Sequence, residues 1–204
     1  MSDKIADIDS DFDEMVDDMS KLDERTSKGS TKGKNGRSTV EAYGINFDSK
    51  EELEFHEWVL EAQSLGFIES FSYQPTTFVL FEGEKNTKGK YTIRPHVYSP
   101  DYHIIFTDKW VEFRRKNKLK VFDKFDEKDV YVDVKSNWNP HSGDREFSLN
   151  MKWCYYRYHI YVHKVKMPNF FKQAWLPKNC VFTRKTHKVS MRFNGIKTFS
   201  TKYA

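Results

Sequence analysis

Asp133 and Lys135 stand two positions apart in the run Val130-Tyr131-Val132-Asp133-Val134-Lys135, where apolar and polar side chains alternate. In an extended strand that spacing puts both on one face, opposite Val130, Val132 and Val134. A carboxylate can hold a hard divalent cation there, and an ammonium beside it can orient an attacking water or stabilise developing negative charge. Such a cation needs more than one acidic ligand, so a second carboxylate must converge from elsewhere. Asp101, following Pro100 at the start of another extended segment, is placed to supply it. Glu52 is a further candidate. On a helix from Phe47 to Leu65 it lines up with Phe55, Val59 and Ala62, whereas Glu54, Glu57 and Glu61 form a separate stripe of the kind that faces solvent. Glu52 has a competing role as the partner of Ser49 in a capping box; if Asp48 caps the helix instead, Glu51 takes that role.

Alone, Asp133-Val134-Lys135 reads as an exposed strand with a surface ion pair, and Pro100-Asp101 as a turn. The weight lies in their order along the chain, on a basic body, after a helix with an early glutamate. In that order they resemble the PD-(D/E)xK nuclease superfamily. The closer likeness is to small phage endonucleases and TnsA-like transposon endonucleases, whose helix begins with a Phe-Asp-Ser-Lys-x-Glu type segment; here the residues are Phe47-Asp48-Ser49-Lys50-Glu51-Glu52. The likeness covers residues 43 to 165.

The resemblance implies Mg²⁺ or Mn²⁺ held by Asp101, Asp133 and the Val134 carbonyl, with Glu52 completing or tuning the site and Lys135 assisting the water. It implies a phage-encoded DNA endonuclease in the host cytoplasm, acting on branched or otherwise special DNA in recombination, replication or packaging. Cuts on opposed strands would suit a homodimer. The alternative is a non-catalytic protein that keeps the nuclease fold and binds nucleic acid or a protein machine, in part through its acidic arm. Two departures stand out: Lys152 fits the family's helical Gln or Lys only loosely, and the insertion between Asp101 and Asp133 is long.

The elements expected to position these residues follow a helix, several strands, helix, strand order. That is an α+β or mixed α/β fold with a central mixed β-sheet flanked by helices, as in restriction-endonuclease-like cores. The helix closes at Gly66. Extended segments are expected over 71–82, 91–98 and 101–107, with a Gly/Lys/Asn turn over 83–90. Residues 108–129 read as a hairpin or helix-like excursion, 130–135 as the clearest strand and 136–145 as a polar loop. A helix over 147–157, a strand over 158–165 and a closing hairpin over 179–199, turning at Lys185 to Lys188, complete the fold.

Charge divides the chain. Residues 1–25 carry ten Asp/Glu and three Lys/Arg, a balance of −7, so the rest of a chain of net charge +4 carries +11. A basic body suits a polyanion such as DNA. Arg114, Arg115, Lys116, Lys152, Arg157, Arg184 and Lys185, interleaved with aromatics, are the candidate nucleic-acid contacts, and Lys164, Lys166, Lys172 and Lys188 belong to the same basic set. For any one of them a merely solvated face is the competing reading.

The arm (1–25) is amphipathic at helical spacing through Ile5, Ile8, Phe12, Met15, Met19 and Leu22, which suits docking on a protein partner; a solvated leader and a DNA-mimicking cover are the other readings. Residues 26–40 form a flexible basic linker, and 41–204 the nuclease-like domain. No apolar run is long enough for a membrane span, and no signal peptide is expected. The two cysteines, Cys154 and Cys180, lack metal spacing and read as reduced core residues of a cytoplasmic protein. The histidines show no zinc arrangement, and His56 reads as a packing residue.

Overall fold

The computed structural model describes residues 39–125, 128–136 and 142–203, without the side chains of 142 and 143. The acidic arm and nearly all of the linker lie outside that range, as do residues 137–141 of the loop expected over 136–145; residues 142–145 of that loop are instead the first turn of a helix expected only from 147. The chain divides into two compact units, Met1–Leu53 and Glu54–Ala204.

The described part of the first unit is a hairpin, β1 (Val40–Ala42) and β2 (Ile45–Phe47), followed by the first residues of helix α1 (Lys50–Ser64). Tyr43 and Gly44 join the strands with φ of 56° and 69°, the two left-handed residues that a tight hairpin turn requires. Helix α1 starts where Ser49 can cap it. The Glu52 amide donates to Ser49 Oγ at 3.1 Å, and the Glu52 carboxylate accepts from Ser49 Oγ at 2.7 Å and from the Asp48 amide at 3.2 Å. These bonds satisfy amides that the helix itself leaves unpaired.

In the second unit α1 ends at Gly66, whose φ of +72° lets the Phe67 amide reach back to the Ala62 carbonyl at 2.9 Å. The chain then enters β3 (Ile68–Tyr73). Two ribbons follow, β4 (Phe78–Phe81) with β7 (His96–Tyr98) and β5 (Glu84–Lys85) with β6 (Tyr91–Ile93), before β8 (Tyr102–Phe106) returns alongside β3. Helix α2 (Asp108–Lys116) takes up the charged excursion, capped by Thr107. Strand β9 (Asp129–Ser136), helix α3 (Ser142–Tyr158) and strand β10 (Val162–Met167) follow. The central sheet has the order β10-β9-β8-β3, with β3, β8 and β9 antiparallel and β10 parallel to β9. A parallel neighbour needs a crossover, and α3 lies within the connection that supplies it. The fold is thus mixed α+β, with a central mixed sheet flanked by helices.

One face of the sheet is apolar. Val130, Val132 and Val134 of β9 join Val165 and Met167 of β10 in a core with Phe55, Trp58, Val59 and Ala62 of α1. Aromatic rings fill it: Trp58 meets Phe170 edge-on at 4.9 Å and Trp175 at 5.2 Å. Each such ring buries on the order of 150–250 Å². The opposite face carries a smaller cluster of Phe78, Leu80 and Tyr98 with Phe147 and Cys154 of α3 and Val162 of β10. Both cysteines are free and buried.

Three further expectations change. The last strand begins at Val162 rather than at 158, because α3 runs on to Tyr158 and His159 breaks it with a φ of 56°. The closing hairpin is reduced to a single bridge between Phe182 and Val189, flanked by 3-10 turns at Lys178–Cys180 and Met191–Phe193. That segment directs its donors elsewhere, which is the third change: Glu54, Glu57 and Glu61 do not face solvent. Lys178 N and Trp175 Nε1 donate to Glu61 at 2.7 and 3.0 Å, Asn179 and Arg184 donate to Glu57, and Arg192 donates to Glu54 at 3.1 Å. Glu54 and Glu57 are buried, and burial raises the Glu61 pKa despite its donors. The carboxy-terminal segment is held to α1 by charge-assisted bonds in place of a β-ladder.

Candidate active site

Antiparallel pairing aligns Tyr102 with Val132, so Asp101, one residue before β8, arrives beside the Asp133 end of β9. Asp101 Oδ2 accepts the Val134 amide at 2.6 Å, which ties the second carboxylate to the main chain next to the first. Asp133 is only 3 % exposed. Its Oδ2 accepts the Tyr98 hydroxyl at 2.7 Å. Its Oδ1 lies 2.5 Å from Lys135 Nζ but off the line of a hydrogen bond, so it is charge-paired with no aligned donor. Burial, then the charge and hydrogen bond of Asp133, then Asp101, raise the Tyr98 pKa far above its ordinary value. Tyr98 therefore stays protonated and remains a donor to Asp133.

Strand β10 widens this polar face. Its parallel register sets Lys164 against Asp133 and Lys166 against Lys135. Asp144, in the first turn of α3, spans both lysines, 3.1 Å from Lys164 and 2.6 Å from Lys166. Hydrogen bonds from Lys166 and then Lys164 hold the Asp144 pKa below its usual value. Farther along α3, Asn150 is buried against His96 at 2.7 Å. Sequence reasoning included Lys164 and Lys166 only in a general basic set and missed Tyr98 and Asp144. The alternation in Val162-His163-Lys164-Val165-Lys166-Met167 is visible in the sequence, but the register that brings it to Asp133 is not.

The donor set of Asp101 and Asp133 consists of hard oxygens, the kind of ligand a divalent cation takes, and Asp133 Oδ1, buried and charge-paired with Lys135, has no aligned hydrogen-bond donor. Among the described residues no group of three or more His, Cys, Asp and Glu could hold a metal ion. Glu52 lies in the first unit, with its carboxylate in the capping box. His56 is buried, 3.3 Å from the Tyr102 hydroxyl, and burial followed by the Arg184 charge pushes its pKa down to about 4. It is a neutral packing residue.

The expected nucleic-acid contacts divide. Arg115, Lys116, Lys152 and Lys185 are exposed. Arg157 spends its guanidinium on the Leu80 carbonyl and Glu82 at 3.0 and 2.9 Å, and Arg184 is paired with Glu57. Arg114 is only 5 % exposed, which removes it as a surface contact; helical periodicity turns it inward beside Trp110 and Val111. Among the described residues no helix is long and apolar enough to cross a membrane.

A family described as protein of unknown function (DUF1064) matches residues 32–144, more than half of the 204-residue chain. The chain belongs to DUF1064. No curated protein and no solved structure matches it. The DUF1064 match includes Tyr98, Asp101, Asp133, Lys135 and Asp144, whereas β10, with Lys164 and Lys166, follows it.

Proposed function

We propose that this DUF1064 chain is a Mg²⁺- or Mn²⁺-dependent endonuclease that hydrolyses DNA phosphodiester bonds, with branched or otherwise special DNA as its substrate. The observation that carries the reading is the bond from the Val134 amide to Asp101, which fixes that carboxylate to β9 at the residue next to Asp133, with Lys135 beside the unaligned oxygen of Asp133. Asp101, Asp133 and the Val134 carbonyl would hold the cation. When bound, it would polarise the scissile phosphate and lower the pKa of the attacking water.

The chain's own residues have separable tasks. Tyr98 fixes the Asp133 carboxylate through Oδ2 and leaves Oδ1 turned to Lys135. The Asp101 bond to the Val134 amide keeps the two carboxylates in register. Lys135, partly exposed, holds the attacking water or neutralises charge that develops on the phosphate. The basic excess outside the arm favours DNA as the polyanion.

The test is cleavage of linear, nicked and four-way DNA by the full chain across a Mg²⁺ and Mn²⁺ series. Asp133→Asn and Lys135→Ala should each lower the rate by roughly 100-fold or more, the scale expected for loss of electrostatic stabilisation, while DNA binding persists. Uncut DNA throughout the series, or undiminished cleavage by both variants, would refute the reading. Binding without cleavage at any metal concentration is the result expected of a non-catalytic nuclease-fold protein.

A further inference from the structure

We infer that Lys164 and Lys166 form, together with Lys135, a binding row for a backbone phosphate of DNA beside Asp133, and that Asp144 occupies this row when DNA is absent. The row rests on the endonuclease reading for the identity of its ligand. Its geometry stands on the sheet. Parallel partners share a face, so Lys164 lies across from Asp133 and Lys166 across from Lys135, on the side of β9 and β10 opposite their apolar core residues.

Three cations and three carboxylates meet there. Asp101 and Asp133 come from the site, and Asp144 spans Lys164 and Lys166. Charge on this face is therefore balanced as it stands, and a divalent cation held by Asp101 and Asp133 would leave a positive excess that an anionic phosphate can meet. A carboxylate between two ammonium groups presents the same chemistry as a phosphate oxygen pair.

The groups are also accessible. Lys164, Lys166 and Asp144 keep 23 %, 35 % and 33 % of their side chains exposed, so the pairs can exchange with a ligand from solution. Lys164 Nζ lies 4.9 Å from the Phe147 ring centre, a cation–π contact that keeps the ammonium in place while it changes partner. Exchange exposes the Asp144 carboxylate to water at the start of α3, where the helix dipole favours negative charge.

The experiment is fluorescence anisotropy of a labelled DNA duplex with the full chain in EDTA, where cleavage plays no part. Asp144→Asn should tighten binding several-fold by freeing both lysines. The double variant Lys164→Gln/Lys166→Gln should weaken it roughly tenfold and flatten the dependence of log K on log salt by about one phosphate contact. Unchanged or weaker binding by a folded Asp144→Asn, checked by circular dichroism, overturns the inference. Should that variant fail to fold, the double lysine variant decides: undiminished affinity and an unchanged salt slope also overturn it. Cleavage assays separate the two ideas. Metal-dependent cutting with unaltered affinities removes the phosphate row alone, and altered affinities without any cutting remove the endonuclease alone.

Discussion

Asp133 is held in place by a residue whose own chemistry is fixed by burial. Tyr98 cannot ionise at ordinary pH, so it donates to Oδ2 throughout the working range. Tyr98→Phe should cost about 1–3 kcal/mol in urea denaturation, because it leaves a buried carboxylate oxygen without its donor. A change below a few tenths of a kcal/mol would show that water takes over the bond. His56 and His163 set a pH dependence: burial pushes each from 6.5 to about 4. Between those values the unfolded chain binds protons that the folded chain refuses. Their contribution is complete above pH 6.5 and is lost as the pH falls toward 4, at about 1.4 kcal/mol per pH unit for each histidine. The raised Glu61 pKa acts in the opposite sense, so the clean measurement is a difference. His163→Phe should make denaturation midpoints less sensitive to pH between 7 and 5 than those of the unaltered chain.

At the scale of elements, the start of α1 rests on the Ser49 and Glu52 exchange. Ser49→Ala should lower stability by about 1 kcal/mol, measured as a urea midpoint, whereas a shift near zero would mean that Asp48 or water replaces the cap. How much could be seen beforehand follows from which interactions are local. The alternation at Val130 to Lys135 anticipated β9 to within a residue at each end, and Gly66 marked the end of α1. Asp101 and Asp133 could be singled out by residue type and spacing, and they come together because β8 and β9, consecutive strands in the chain, are also neighbours in the sheet. The burial of Glu54, Glu57 and Glu61 was hidden. Their spacing is that of a solvated stripe, and the partners that cover them, from Trp175 to Arg192, lie more than a hundred residues downstream. The closing hairpin is short for a related reason, since the side chains of Asn179, Arg184 and Arg192 are committed to those carboxylates and only Phe182 and Val189 bridge.

Taken as a whole, the second unit does not end where the family match does. Residues after 144 supply most of α3, all of β10 and the segment that neutralises α1. A chain cut after Asp144 would leave β9 as an unpaired edge and Glu54, Glu57 and Glu61 without their donors. It should be recovered insoluble or unfolded, and a cooperative thermal transition from that fragment would contradict the architecture described. A chain ending after Gln173 keeps the sheet but loses the carboxylate partners.

The two-sided character of β9 also bears on how genes of this kind can vary in length. Valines occupy one side of the strand and Asp133 and Lys135 the other. Adding or removing one codon within 129–136 would invert every position beyond it, sending charge into the aromatic core and valine to the site. Substitutions along the strand can be accepted one at a time, but a change in its length cannot. The connection between α2 and β9 carries no such alternation but anchors Val121 and Phe122 in the aromatic core, so length variation among related chains should fall on either side of that pair and stop abruptly at Asp129.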